Sequence, residues 1–389
     1  MSNYRRLSLV IGALALLSHT ASAQGLPKKG SPPQRIYGLT VELLDKLNVD
    51  KFEETFRDVP VPITLRIVFQ DDQSPLRYER NLRRLHNPPP GKKKFHIVGL
   101  PFDSYHLKKY KLSPNPGDRF DCGDFQGPYQ SYDHRAKCFV EYFTGARDYI
   151  DAWEVGNEVN GEWADEDYKP GLPPDTKGKP ELTVEKISRL INFIPAGKPT
   201  MLTVSYMPKC HEWTANAMDV WIENFPRHMP KATLDRIDYV LVSYYENNCN
   251  FHILGDAEIN DYVFKPLSKV FPGRFLGIGE IGYSDGDTEK FKSCSGDKCY
   301  CSKEKMYCSE ADYLAQNGKI ATCKKSKTSQ MQRYYGIKPS DPLYVGGGFW
   351  WNAGKDYKVG EFREALKKQF ACLAAGGGCE THLPVDCPR

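Results

Sequence analysis

An excess of either charge is nearly absent: 53 basic and 49 acidic residues leave a net charge of +4 over 389 residues. Nucleic acid and anionic surfaces are therefore not expected as partners. Long apolar runs are missing after Leu17, and without roughly 20 consecutive apolar residues the body of the chain has no membrane span. There is no Asn-x-Ser/Thr acceptor, which excludes N-linked glycans. No Cys-x2-Cys pair occurs, and Cys299-x-Cys301 has no histidine nearby, so neither a metal nor another cofactor is expected. No stretch past the N-terminal region reads as an interdomain linker. A Gly-rich phosphate turn after an early strand is lacking too, since GIGEIG comes late and carries Glu280 at its centre; that argues against an open nucleotide-binding sheet.

What is present begins with a targeting segment. Arg5 and Arg6 precede an apolar stretch from Leu7 to Leu17, and the small residues Ala21-Ser22-Ala23 stand before Gln24. That order reads as a cleavable secretory signal over residues 1–23. Its removal takes away two arginines and no acid, leaving 51 basic and 49 acidic residues. The mature chain is expected to be secreted and extracellular. Its twelve cysteines, an even count, then fit disulfides formed in an oxidising compartment. Cys122 with Cys138 and Cys210 with Cys249 are the simplest pairings to guess. Residues 24–35 look like a short leader, 36–371 like one domain, and 372–389 like a Cys-rich tail.

Eight β-branched and aromatic runs recur along that body: RIYGLTV, PITLRIVF, KFHIVGLPF, YIDAWEVGNE, TMLTVSYM, DYVLVSYY, RFLGIGEIGY and LYVGGGFWW. Between them lie loops and amphipathic segments. Ile187, Leu190, Ile191 and Ile194 fall at helical spacing behind Thr183 as a cap, and Met218, Trp221, Ile222 and Phe225 form a second such set. Strand alternating with helix predicts a parallel sheet. Eight such units predict an α/β fold in which the sheet closes, a (β/α)8 TIM barrel with long, disulfide-stapled βα loops and a site at the C-terminal strand ends.

The carboxylates take their places on that scheme. By strand alternation, Glu154, Gly156 and Glu158 share one side of the fourth run, with Trp153, Val155 and Asn157 on the other. In the seventh, Leu276, Ile278 and Glu280 share a side, so each strand reads as apolar layers topped by a carboxylate. Two such acids across a barrel mouth are the usual machinery for cleaving a glycosidic bond. Glu154, one layer deeper, pairs more naturally with Arg66 in the second run, and Glu162 lies past the strand end.

Asn157-Glu158 ending the fourth strand, Glu280 ending the seventh, Ser243-Tyr244-Tyr245 ending the sixth and Phe349-Trp350-Trp351 ending the eighth, in this order, resemble the retaining (β/α)8 glycoside hydrolases of clan A. The resemblance runs from about Ile36 to Phe370. It implies Glu158 as general acid/base, Glu280 as nucleophile, and Asn157 on the 2-hydroxyl of the sugar being cleaved. It also implies a tyrosine bonded to the nucleophile, with Tyr245 preferred to Tyr244, and Trp350 or Trp351 as the floor of the sugar subsite. Only one of those tryptophans can face the cleft on an ideal strand. Arg66, Trp153 and His96 complete the candidate substrate-binding residues, with Asp103 just past the third strand. One departure is Val159, where many members of the clan have proline; it touches no catalytic group.

Phe120, Phe125, Tyr129, Tyr132, Trp163 and Tyr168 lie in long loops and suggest an extended groove, hence an enzyme that cuts a polymer internally. The expected partner is a carbohydrate polymer or oligosaccharide, bound by a monomer. The competing function is a non-catalytic, lectin-like protein on a glycosidase scaffold, which would not need Glu158 and Glu280 together.

Overall fold

A computed structural model of the chain describes residues 25–70, 73–115, 118, 120, 122, 128–160, 180–206, 227–245, 256–282, 294–295, 298–300, 307–308, 331–351, 353–376 and 379. The signal segment with Arg5 and Arg6, Phe125, Glu162, Trp163, Tyr168, the second amphipathic set from Met218 to Phe225, and the Cys210 and Cys249 guess lie outside the described residues.

Eight parallel strands close in chain order: β1 Ile36–Val41, β2 Ile63–Val68, β3 Phe95–Leu100, β4 Ala152–Gly156, β5 Thr200–Ser205, β6 Tyr239–Tyr244, β7 Phe275–Ile281 and β8 Tyr344–Trp350, which pairs back onto β1. Each lies within one of the eight runs read from the sequence. The barrel expectation therefore holds. Helices cover the outside where apolar spacing dictates. In α1 (Leu76–His86), Tyr78, Leu82 and Leu85 are buried, so one stripe faces the barrel while the arginines face out. In α2 (Pro180–Phe193), Ile187, Leu190 and Ile191 are buried as their spacing predicts. That helix begins earlier than expected, so Thr183 lies within it and is not its cap.

The barrel is filled from below. Leu26, Val98, Met201, Tyr239, Phe275 and Phe349 belong to one interior cluster, while a much larger one lies between strands and helices. Leu26 comes from the short leader, whose Pro27 carbonyl accepts from the Tyr239 hydroxyl at 2.5 Å and whose Lys29 N–H donates to Asp238 at 3.1 Å. These residues therefore close the N-terminal end of the barrel. The opposite end carries the loops. Cys122 and Cys138 tie the segment after β3 to the helix Tyr132–Tyr142, and Cys372 and Cys379 close the end of the helix Gly360–Ala374. Cys294, Cys299 and Cys308 sit on a small antiparallel sheet of three short strands. No helix among the described residues is long and apolar enough to cross a membrane.

The Gly-rich eighth strand has a steric reason. Gly347 adopts φ +91°, and a Cβ there would lie 2.2 Å from the Ile278 carbonyl oxygen of β7. Gly347→Ala is expected to destabilise the barrel by about 3 kcal/mol or more, since it adds left-handed strain to a backbone clash. Urea unfolding checks this, and an unchanged midpoint would mean that β8 does not approach β7 so closely.

Candidate active site

Arg66 organises the mouth. On β2, Ile63, Leu65 and Ile67 belong to the outer core, which leaves Arg66 on the interior parity. Its guanidinium is almost wholly buried and surrounded by acceptors. Nε and Nη2 hold Glu154 at 2.5 and 2.9 Å, Nη2 also donates to Asn157 Oδ1 at 2.7 Å, and Nη1 reaches Glu280 Oε2 at 2.7 Å. Burial works against its charge, but Glu154 and Glu280 more than offset this and hold it firmly protonated.

Simple alternation does not deliver the two outer carboxylates, and this corrects the sequence-based layers. On β4 the pairing with β5 shifts between Glu154 and Gly156. A Cβ on Gly156 would meet Val159, Leu202 and Ile187, which places Gly156 on the helix side, opposite to Glu154. Glu158 then turns back with φ +48°, the sole non-glycine residue with positive φ among the described residues. That rarely adopted backbone brings Asn157 and Glu158 to the mouth together. On β7, Leu276 and Ile278 face the outer core, while Phe275 fills the barrel and a Cβ on Gly279 would meet interior Thr203. The register against β6 slips so that Val242 pairs Ile278 but Ser243 pairs Glu280. Such irregularities re-aim side chains, and this one returns Glu280 to the interior.

The two acids are wired differently. Glu280 takes the Arg66 guanidinium on Oε2 and the Tyr245 hydroxyl on Oε1. Among the described residues Glu158 receives hydroxyls alone, Ser243 on Oε1 and Ser104 on Oε2 at 3.1 Å. Burial first, then the Glu280 charge, pushes Glu158 up to about 7, against the pull of both hydroxyls and Arg66. Burial also raises Glu280, but Arg66 and Tyr245 pull it down directly. With Arg66 the one nearby cation among the described residues, the shared proton belongs on Glu158, which is how a pair of carboxylates divides acid from base. Tyr245 stays protonated, its hydroxyl raised well above the usual value by burial and then by Glu280 and Glu158.

The other candidates separate by face. Trp351 is half-buried at the mouth, its ring 5.7 Å from the Arg66 guanidinium carbon. Trp350 points the other way: it is fully buried, packs on Phe362 and donates Nε1–H to Asp356 at 2.7 Å. It is a packing residue and leaves the substrate-binding set. Trp153 leaves it too, because its ring lies outside the barrel against Phe69 and over Gly99, where a Cβ would lie 2.8 Å from it. Tyr244 packs against Tyr206 and Tyr334 in the outer core. His96 is the second residue of β3, with Nδ1 3.8 Å from Asp151 ahead of β4, so it sits at the closed end. Asp103 lies at the correct end but caps the helix Ser104–Lys109 and pairs with His106 at 2.7 Å.

Of the loop aromatics, Tyr129 and Tyr132 are core residues, the first bonded to the Gln73 carbonyl at 2.8 Å and the second stacked on Phe102, while Phe120 stacks on His134. None of these three supplies the open groove that was expected. The sulfurs of Cys122 and Cys138 and a His134 nitrogen lie within 4.8 Å of one another, but the disulfide removes both thiolates a metal would need. Ser104, Ser243 and Thr203, which donates to Glu154 at 2.7 Å, were not singled out from the sequence. Only Ser243 had a signal, as neighbour of the tyrosines that close β6.

The pair sets an expected pH profile. If Glu158 must donate a proton and Glu280 must attack as a carboxylate, kcat/KM falls as pH rises through about 7, where Glu158 loses its proton. It also falls on the acid side as Glu280 protonates. Both limbs belong to the coupled pair. A profile flat from pH 6 to 9 would mean that Glu158 is not the acid.

No family model matches the chain, and no curated protein matches it. Among solved structures it is similar to a glucosidase from Croceicoccus marinus, at 11% identity and TM-score 0.47 over 90% of this chain and 70% of that one. It is similar to an endo-1,4-β-mannanase from Rhizomucor miehei, at 10% identity and TM-score 0.47 over 90% and 99%. It is also similar to a family 1 β-glucosidase from Thermotoga maritima, at 11% identity and TM-score 0.44 over 90% and 100%.

Proposed function

We propose that the chain is a secreted retaining glycoside hydrolase that cuts β-linked polysaccharide internally, with Glu280 as nucleophile and Glu158 as acid/base. The observation that carries this reading is the unequal wiring of two buried carboxylates at one barrel mouth, one on a guanidinium and a tyrosine, the other on serines alone.

Each group then has a task. A Glu280 oxygen attacks the anomeric carbon while the bond to the leaving oxygen breaks and Glu158 gives that oxygen its proton. The product of this step is a glycosyl ester on Glu280. Glu158, now ionised, takes a proton from water as the water oxygen attacks the same carbon, and the ester bond breaks to free the Glu280 carboxylate. Arg66 donates to Asn157 Oδ1, and Asn157 Nδ2 donates to Ser104 Oγ at 3.1 Å. That fixes the amide orientation and leaves one Nδ2 hydrogen for a sugar hydroxyl. Trp351 offers an apolar plate for a sugar face.

Incubation of the mature chain with soluble β-glucan, mannan, xylan and arabinan, measuring new reducing ends and product lengths, tests the proposal. Release from one polymer with medium-length early products is the expected result. Monosaccharide alone would overturn internal cutting, and binding without release would favour the lectin-like alternative.

A further inference from the structure

Two carboxylates suffice for the proposed chemistry, yet the barrel buries a third. Glu154 lies below Asn157 and Glu158 on β4, held bidentately by Arg66 and capped by the Thr203 hydroxyl at 2.7 Å. A buried ion pair is weak evidence for stability, because desolvation offsets much of its attraction. Its geometry does something more specific. A guanidinium is a rigid planar fork, so a two-point grip on Nε and Nη2 fixes its plane and the direction of Nη1. Nη1 is the nitrogen that meets Glu280.

We propose that Glu154 is a positioning residue of the catalytic site. By gripping Arg66 it aims the guanidinium at both Asn157 and Glu280, and it limits how much of the positive charge the nucleophile feels. This rests on the reading of Glu280 as nucleophile.

Among the described residues, the charged and titratable groups that face Glu280 are Arg66 from β2, Glu154 and Glu158 from β4 and its end, Tyr245 after β6 and Glu42 after β1. Arg66 is the cation among them. Shared with Glu154, it holds Glu280 ionised without binding its electron pairs as tightly as an undivided charge would. Burial raises the proton affinity of Glu280, Arg66 opposes this, and the Glu154 charge adds to the rise. Neutralising Glu154 while keeping its shape must therefore make Glu280 a weaker base and a poorer nucleophile.

Two substitutions push in opposite directions. Glu154→Gln frees the Arg66 charge for Glu280. Thr203→Val removes the hydroxyl that draws on Glu154, so Glu154 takes more of that charge. The readout is the carbon NMR titration of the full mature chain labelled with 13C-glutamate, in which the Glu280 carboxyl is the signal lost in Glu280→Gln. Its midpoint is expected to fall by about one pH unit in Glu154→Gln and to rise in Thr203→Val, with the acid limb of kcat/KM moving alongside. An unchanged midpoint in both variants, or a shift of the same sign in both as loosened packing would cause, overturns the proposal. Thr203→Val alone still decides the sign if Glu154→Gln does not fold. Because the titration needs no turnover, a chain without hydrolase activity would sink the catalytic reading separately.

Discussion

Glu280→Gln is expected to lower kcat by roughly 10⁴-fold or more while the barrel stays folded. An amide cannot form the glycosyl ester, but its oxygen can still accept from Arg66 while its NH2 donates to the Tyr245 hydroxyl oxygen, and Arg66 keeps Glu154 as its ionic partner. Glu158→Gln should behave differently. On substrates whose leaving oxygen needs a proton, the loss is about 10²–10⁴-fold. An activated aryl glycoside, which needs none, is still attacked by Glu280. Stability separates the two roles further. Burial and the Glu280 charge raise Glu158 from its ordinary 4.5 to about 7 in the folded chain. The folded state therefore holds that proton more tightly than the unfolded state, and this contribution, complete below pH 4.5, is lost as pH rises through about 7. At pH 8 the parent carries a buried carboxylate without a direct cation among the described residues, and Glu158→Gln is expected to be more stable by about 2 kcal/mol, with no gain at pH 4. Initial rates and thermal melts at both pH values check this. A Glu158→Gln protein less stable than the parent at pH 8 would argue against the raised proton affinity.

Arg66→Met carries the second large effect. It fills similar space but leaves Glu154 with the Thr203 hydroxyl and Glu280 with the Tyr245 hydroxyl. Removing one partner of a buried charge cluster typically costs about 3–5 kcal/mol, and that cost is expected here at pH 7. It should shrink toward pH 4, because orphaned carboxylates with raised proton affinity are neutral there. Activity is expected to fall by about 10³-fold at neutral pH, since Glu280 would then hold its proton. Arg66→Lys should restore little, as a point ammonium cannot reach Glu154, Asn157 and Glu280 in one plane. Denaturation as a function of pH checks the stability claim, and equal loss at pH 4 and 7 would mean that Arg66 acts through packing alone.

The strands were legible because each needs a short β-branched run, and composition reports that directly. The acids were legible for a weaker reason. Alternation placed Glu158 and Glu280 inward through layers that do not exist, since Gly156, Leu276 and Ile278 face outward. A register shift adds or removes one step of alternation and leaves no mark in composition. Nor does the positive φ of Glu158. The aromatic candidates failed for a related reason. Trp153 and Trp350 are as apolar as a sugar platform must be, but they face the helices, and residue type does not tell one face of a barrel strand from the other. Serine hydroxyls such as Ser104 are too common to stand out before folding places them beside an acid.

The most direct test of the double displacement is the intact mass of Glu158→Gln after exposure to an activated aryl β-glycoside of the sugar that the polymer panel identifies. With the acid no longer needed and the base missing, glycosylation outruns hydrolysis, and the protein should gain the mass of one glycosyl unit on the peptide that contains Glu280. Turnover with no adduct on any residue, or an adduct elsewhere that survives in Glu280→Gln, would contradict Glu280 as the nucleophile.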